Sequence, residues 1–299
     1  MATGVLVNDG KVVRHQGGHL VIFNSPERVA ALTPLYPDER FADGRPRVPD
    51  EILERMRRVT NDEAWGVVER GHDYHFQFEG NWINLHLDRV LVGRAVTVRM
   101  VPLRPDLQSV VAGVGAAEGR SGGQNTWVID TLLPGDVLVV DLFGKIEDGT
   151  FIGDNLGTAI AARAGTGLIV DGGIRDLERV YQLPDFNVFC RGVHPSAILD
   201  VTLVEVNGPI RIGNATVMPG DIVLGAREGV TFVPPHLAEE VVGRSEDVRQ
   251  RDVFGKSRIA EGVYTSGQID VSTWADEIEA DYVAWCEEQG LEANPRRSS

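Results

Sequence analysis

Between residues 135 and 192 the chain repeats one unit: an apolar strand that runs into glycine, then a short helix. LVVDLFG (138–144) reads as the first strand, and GDNLGTAIAARAG (153–165) as a glycine turn entering an Ala-rich helix. GLIVDGGIRD (167–176) is a second apolar strand, followed by a helix carrying Leu177, Val180 and Leu183; FNVFCRG (186–192) is a third strand. Strands with no polar face must be covered on both sides, and the intervening helices supply the crossovers. An α/β fold with these strands parallel is expected.

The flanks read differently. Asp50 gives a helix-start signal, and EILERMRRV then spaces Ile52, Leu53, Met56 and Val59 at helical intervals. GRAVTVRMV (93–101) is a strand. From 201 to 234 short strands alternate with turns at Asn207-Gly208, Gly213-Asn214, Pro219-Gly220 and Glu228-Gly229, and Pro235 opens a helix to Val242. Gly17-Gly18 reads as a hairpin, and the proline- and charge-rich stretch 36–49 as a linker. Residues 244–299 are charged and helical, with Trp274, Ile278, Tyr282 and Trp285 on one face of the last helix. Such a stripe packs either across a subunit boundary, as we expect, or on its own subunit.

Composition removes several function classes. With 42% apolar residues the chain can build a core, and with 44 Asp and Glu against 29 Lys and Arg its net charge is −15. A nucleic-acid binder needs cations to displace counterions, so that class is excluded. Cys190 and Cys286 form no CxxC pair, which argues against a disulfide framework or a structural zinc site. No run reaches 18 apolar residues and the first residues lack signal-peptide order, so a soluble, cytoplasmic protein with no membrane partner is expected.

Chemistry concentrates in residues 153–176. Gly153-Asp154-Asn155-Leu156 sits where a loop enters a helix, and helix-start amides favour an anion; alternatively Asp154 or Asn155 only caps the helix. Arg175 and Asp176 follow a strand's C-terminal end, the usual ligand position in open α/β sheets. Arg175 offers a planar fork for a carboxylate or enolate oxygen. Asp176 offers a hard oxygen ligand for Mg²⁺ or Mn²⁺. The plainer alternative is an Arg–Asp pair on a helix's first turn. His72, His75 and His86 lack the spacing of a zinc site and read as packing or a pocket wall. Gly113, Gly115 and Gly119 miss the dinucleotide pattern. His194-Pro195-Ser196 reads as a turn; Asp130 or Asp141 is a candidate supporting acid.

GDVLVVD (135–141), Gly144, GDNLGTAIAARAGTGLIVDGGIRD (153–176), VFCRG (188–192) and GDIVLGAREGVTFVP (220–234) resemble the family of the regulator of ribonuclease activity A (RraA). That family includes metal-dependent 4-hydroxy-4-methyl-2-oxoglutarate aldolases. The resemblance implies a swivelling β/β/α sandwich, similar to the phosphohistidine domain, assembled as a homotrimer or hexamer. It also implies a catalytic domain over 49–243, with extensions at 1–48 and 244–299. Backbone amides of Gly153–Leu156 would bind the substrate carboxylate, Arg175 its keto or enolate oxygen, and Asp176 the Mg²⁺ or Mn²⁺. Asp154, standing where the family usually has Glu, matches an acid holding metal-bound water. The implied activity is a lyase cleaving a C–C bond of a 4-hydroxy-2-oxo acid through a pyruvate-type enolate, with oxaloacetate decarboxylation alongside. Two other classes stay open: a non-enzymatic ribonuclease-binding regulator, and a metal-dependent dehydratase or tautomerase on a sugar-derived oxo acid. A Schiff-base route is disfavoured, because Lys145 is the only lysine near these motifs.

Overall fold

The computed structural model describes residues 21–294 and the backbone of two short paired strands, β1 (Val7–Asn8) and β2 (Lys11–Val12). The Gly17-Gly18 hairpin lies outside the described residues. Helix α1 (Pro26–Leu32) comes next, its amide at Arg28 capped by the Ser25 hydroxyl. Helix α2 (Asp50–Met56) buries Ile52, Leu53 and Met56, the face that the spacing specified. α3 (Asn61–Trp65) starts at a Thr60–Glu63 capping box and widens into a π turn over Gly66–Gly71.

Among the described residues, nine strands form one mixed sheet. β5 (Leu91–Pro102), β6 (Asp136–Thr150), β7 (Gly167–Ile174) and β8 (Asn187–Val193) lie parallel in that order, the arrangement expected for the last three. The short β3 (Phe78–Glu79) and β4 (Ile83–Asn84) occupy the two ends. β9 (Val201–Val206), β12 (Ile222–Gly225) and β13 (Val230–Val233) add antiparallel pairs, β9 and β12 both on β5. One face is covered by α4 (Pro105–Ala117), α5 (Gln124–Ile129), α6 (Asp154–Ala164) and α7 (Leu177–Tyr181). On the other face, Val137, Val139 and Ile169 pack against the hairpin of β10 (Ile210–Ile212) and β11 (Ala215–Val217). This two-sided cover is why strands with fully buried side chains are stable here. Gly113 and Gly115 lie inside α4, and Gly115 packs on Trp127, so that glycine run makes no nucleotide loop.

Three local expectations are corrected. The stretch 36–49 is no linker: Arg45 is fully buried in an ion pair with Asp136 at 2.7 Å, and Val48 is buried too. The charge of Asp136 and the donors of Arg45 require each other, which ties the stretch to the start of β6. The helix from Pro235 does not stop at Val242. After one 3₁₀ turn, α8 (Ala238–Ala260) runs unbroken past residue 243, because Phe254 and Gly255 find cover further on. That cover comes from α9 (Ser266–Ile269) and α10 (Asp276–Gln289). Trp274 precedes α10 rather than lying on it, and with Ile278 and Tyr282 it is buried against Phe254 of the same chain. The aromatic stripe therefore packs on its own subunit. Among the described residues no helix is long and apolar enough to cross a membrane.

Candidate active site at the β7–α7 junction

The site is shaped by an excursion of β6. After Asp141 the strand bulges out through Phe143 and Gly144, both at positive φ, touches β7 again at Lys145 opposite Gly172, and bulges a second time before Thr150 meets Gly173. Within the excursion Ile146 crosses over Gly173 and Gly192, so closely that a methyl on either glycine would overlap it. Of the paired glycines of the GGxRD motif, Gly173 makes room for the Ile146 backbone and Gly172 for the Leu142 side chain. The returning chain then runs beside β7: Phe151 N–H donates to the Gly173 carbonyl at 2.9 Å, and Arg175 N–H to Ile152 at 3.0 Å. The start of α6 is held against the start of α7. Asn125 on α5 fixes the same segment, its side-chain amide donating to the Phe151 carbonyl at 2.9 Å.

This juxtaposes the residues singled out in sequence. Gly153 is the N-cap of α6, and a side chain there would overlap the Asp176 carboxylate and crowd Arg175. Asp176 is the N-cap of α7 in a left-handed conformation (φ 55°), makes no capping hydrogen bond and stays partly exposed. A carboxylate held in a strained backbone with no structural bond to make is available for a ligand. Arg175 Nε lies 3.6 Å from Asp176 Oδ2, and both side chains are about two-fifths exposed. Lone surface pairs of this kind contribute little to stability.

Asp154 accepts from Arg179 on α7 at 3.1 Å and from its neighbour Asn155 N–H at 2.9 Å. The Arg179 bond holds its carboxyl below the usual range. Asn155 is exposed, whereas Leu156 points into the helix-side core. Arg179 and Asn125 escaped the sequence reading, since nothing in their spacing marks either as a partner of residues some 25 positions away.

Other candidates stand apart. Asp130 pairs with Arg163 on the surface. Asp141 sits abreast of Asp171 on the hairpin side of the sheet, where burial raises its carboxyl. There Arg191 donates to Asp171 at 2.7 Å and to Glu79 at 2.8 Å while covering the Trp82 ring. His194 Nδ1 meets Ser196 Oγ at 2.9 Å in a turn. Lys145 Nζ donates to the Leu199 carbonyl. His72 pairs with Glu240, His75 with Glu69, and His86 stacks on Tyr181. Among the described residues no group of three or more His, Cys, Asp or Glu converges to hold a metal. A single carboxylate suits Mg²⁺ or Mn²⁺, which keep several waters, and does not suit Zn²⁺, which takes at least three protein ligands, while the α6 amides beside it favour an anion.

A mixed α/β sheet whose parallel centre carries the candidate chemistry at a strand's C-terminal end defines the class, and comparison assigns the family. A family model described as RraA-like: Aldolase/RraA matches residues 67–232, more than half of the sequence, and the chain belongs to that family. A Halalkalibacterium halodurans protein named "Putative 4-hydroxy-4-methyl-2-oxoglutarate aldolase" is 30% identical over 174 residues, 56% of this chain and 80% of that one. A Streptomyces coelicolor structure, described as an unusual member of the RNase ES inhibitor RraA protein family, superposes with a TM-score of 0.59 at 27% identity. It covers 71% of this chain and 100% of its own. An uncharacterized Pseudomonas syringae pv. tomato protein shares the fold at TM-score 0.62 and 22% identity, over 78% of this chain and 97% of its own.

Proposed function

We propose that the chain is a lyase that cleaves the C3–C4 bond of a 4-hydroxy-2-oxo acid, working with Mg²⁺ or Mn²⁺ held by Asp176. The observation that carries this reading is the convergence of Arg175, Asp176 and the α6 N-terminus on Gly153, with no space for a side chain between them. The metal, when bound, supplies a Lewis acid for the substrate's carboxylate and keto oxygens. The α6 amides bind the carboxylate, with the helix dipole favouring negative charge. As the C3–C4 bond breaks, its electron pair moves onto C3 and the keto oxygen, C4 leaves as a carbonyl, and the 4-hydroxyl proton passes to a water near Arg175. The Arg175 fork stabilises the enolate oxygen as charge develops. Protonation at C3 completes the 2-oxo acid. Asp154, held by Arg179, orients solvent at the mouth of the site.

The same enolate forms when oxaloacetate loses CO₂, a step that needs no base for a hydroxyl, so that activity accompanies the first. The swivelling β/β/α sandwich belongs to this proposal and is supported by the order hairpin, sheet, helices. The Streptomyces relative favours a second reading, a ribonuclease-binding regulator, which has no use for this convergence. A screen of 4-hydroxy-2-oxo acids with Mg²⁺, followed by pyruvate release, tests the proposal. EDTA is expected to abolish turnover and added Mg²⁺ to restore it. Full activity in a rigorously chelated sample refutes the metal's part, and no release from any oxo acid refutes the lyase.

A further inference from the structure

A second pocket, of about 330 Å³, opens where the loop after α1 meets the segments flanking β12 and β13. It lies at the opposite end of the strands from Arg175: Ile222, next to the lining residue Asp221, pairs with Arg94, which pairs with the first residue of β6. Its volume is in the range of small-molecule sites. The walls are mainly apolar, from Leu32, Pro34, Leu35, Met218 and Pro234. Leu32 to Tyr36 on one side and Pro234 to His236 on another fall outside residues 67–232 matched by the family.

Two polar groups in these walls are left unserved by the protein. Asp221 is 3% exposed, and among the described residues its carboxyl receives one hydrogen bond, from Met218 N–H at 2.8 Å, and faces no cation. Tyr36 is 6% exposed, with its hydroxyl buried and without a partner. Among the described residues no Lys or Arg lines the pocket; Arg40, which lies over the Tyr36 ring, gives its donors to Thr33 and to the Tyr36 and Gly44 carbonyls. Burying a carboxyl with no counter-charge is costly, and such groups persist where something else completes them. We propose that this pocket binds a small organic amine, its ammonium on Asp221 and its hydrocarbon body against Leu32, Pro34, Leu35 and Pro234.

An anion would meet Asp221 with no basic side chain to offset it. A cation gains the carboxylate of Asp221. Burial pushes the empty pocket's Asp221 up to about 8, so an arriving ammonium displaces its proton and takes its place. His236, whose Nε2 meets Tyr74 Oη at 3.4 Å, is lowered by burial and by His72, and stays neutral beside the bound cation. The proposal is independent of the lyase reading, since the two sites share no residue.

Calorimetric titration of the full chain with 2-phenylethylamine and with its uncharged isostere 2-phenylethanol tests it. The amine is expected to bind at least tenfold more tightly, and Asp221→Asn to bring the two within about threefold of each other. A preference below tenfold, no amine binding at millimolar concentration, or a preference that survives in a folded Asp221→Asn overturns the proposal. The comparison of the two probes on the unaltered chain decides the matter even if the variant does not fold.

Discussion

Arg175 and Asp176 are adjacent, yet the proposed chemistry separates what each contributes. Asp176→Asn keeps size but loses the anionic ligand, and is expected to lose Mg²⁺ binding and nearly all turnover. Arg175→Lys keeps charge without the planar fork, and is expected to bind metal while losing roughly 10²–10³ in kcat. Because both side chains are about two-fifths exposed, neither variant is expected to lower Tm appreciably. Lowered Tm with unchanged activity per folded molecule would return the pair to a structural role. Asp221 carries a different signature. In the folded chain it holds its proton up to about pH 8, whereas the unfolded chain releases it near 3.8. The stability this contributes is complete below about pH 4 and is lost as pH rises through 8. Asp221→Asn has no such proton, so its Tm relative to the parent should climb between pH 5 and 9. A constant difference across that range in scanning calorimetry would show that the carboxyl ionises freely.

At the scale of elements, α8 and α10 are locked by one buried ion pair. Arg251 donates to Glu279, both more than nine-tenths buried, and the guanidinium lies over the Trp274 and Tyr282 rings. Removing one partner leaves the other charge stranded, so Glu279→Ala is expected to cost about 3–5 kcal/mol in a denaturant titration. Replacing both, as Arg251→Met with Glu279→Leu, is expected to cost far less, because the desolvation penalty goes with the charges. Equal losses in the two variants would mean that packing, and not charge, fixes the helices. Helix was legible on both sides of residue 243, but not that α8 runs through it unbroken, since its later turns are polar apart from a few residues whose cover, α9 and α10, comes from later sequence. The strap at 36–49 was misread for the same reason: its prolines suggest a linker, while the partner of Arg45 is Asp136, 91 positions away.

For the whole molecule, the family resemblance implies a trimer or a dimer of trimers. Light scattering is expected to give at least three times the chain mass of 32.6 kDa. A monomeric mass would remove that expectation. Since Trp274, Ile278 and Tyr282 are buried against Phe254 of their own chain, the assembly is not expected to depend on that aromatic stripe. Deleting residues 268–299 should lower Tm by uncovering Phe254 while leaving the number of chains per assembly, read by light scattering, the same as in the full chain.

Local periodicity and composition determined the strands β6 to β8, the helices α6 and α7 between them and their parallel order, because an apolar strand running into glycine has few other solutions; β5 was legible as a strand, but its place beside β6 and the helices α4 and α5 that follow it were not. They also marked Gly153, Asp154, Arg175 and Asp176, since strand ends and helix starts are local features. What joins those residues is not local. The excursion of β6 and the crossing of Ile146 over Gly173 set the α6 and α7 starts side by side, and Arg179 finds Asp154 only through that contact. The pocket at Asp221 was invisible in the sequence. Its walls come from segments that are close only in the folded chain, and a lone Asp in a turn shows its burial only when the tertiary structure has closed over it.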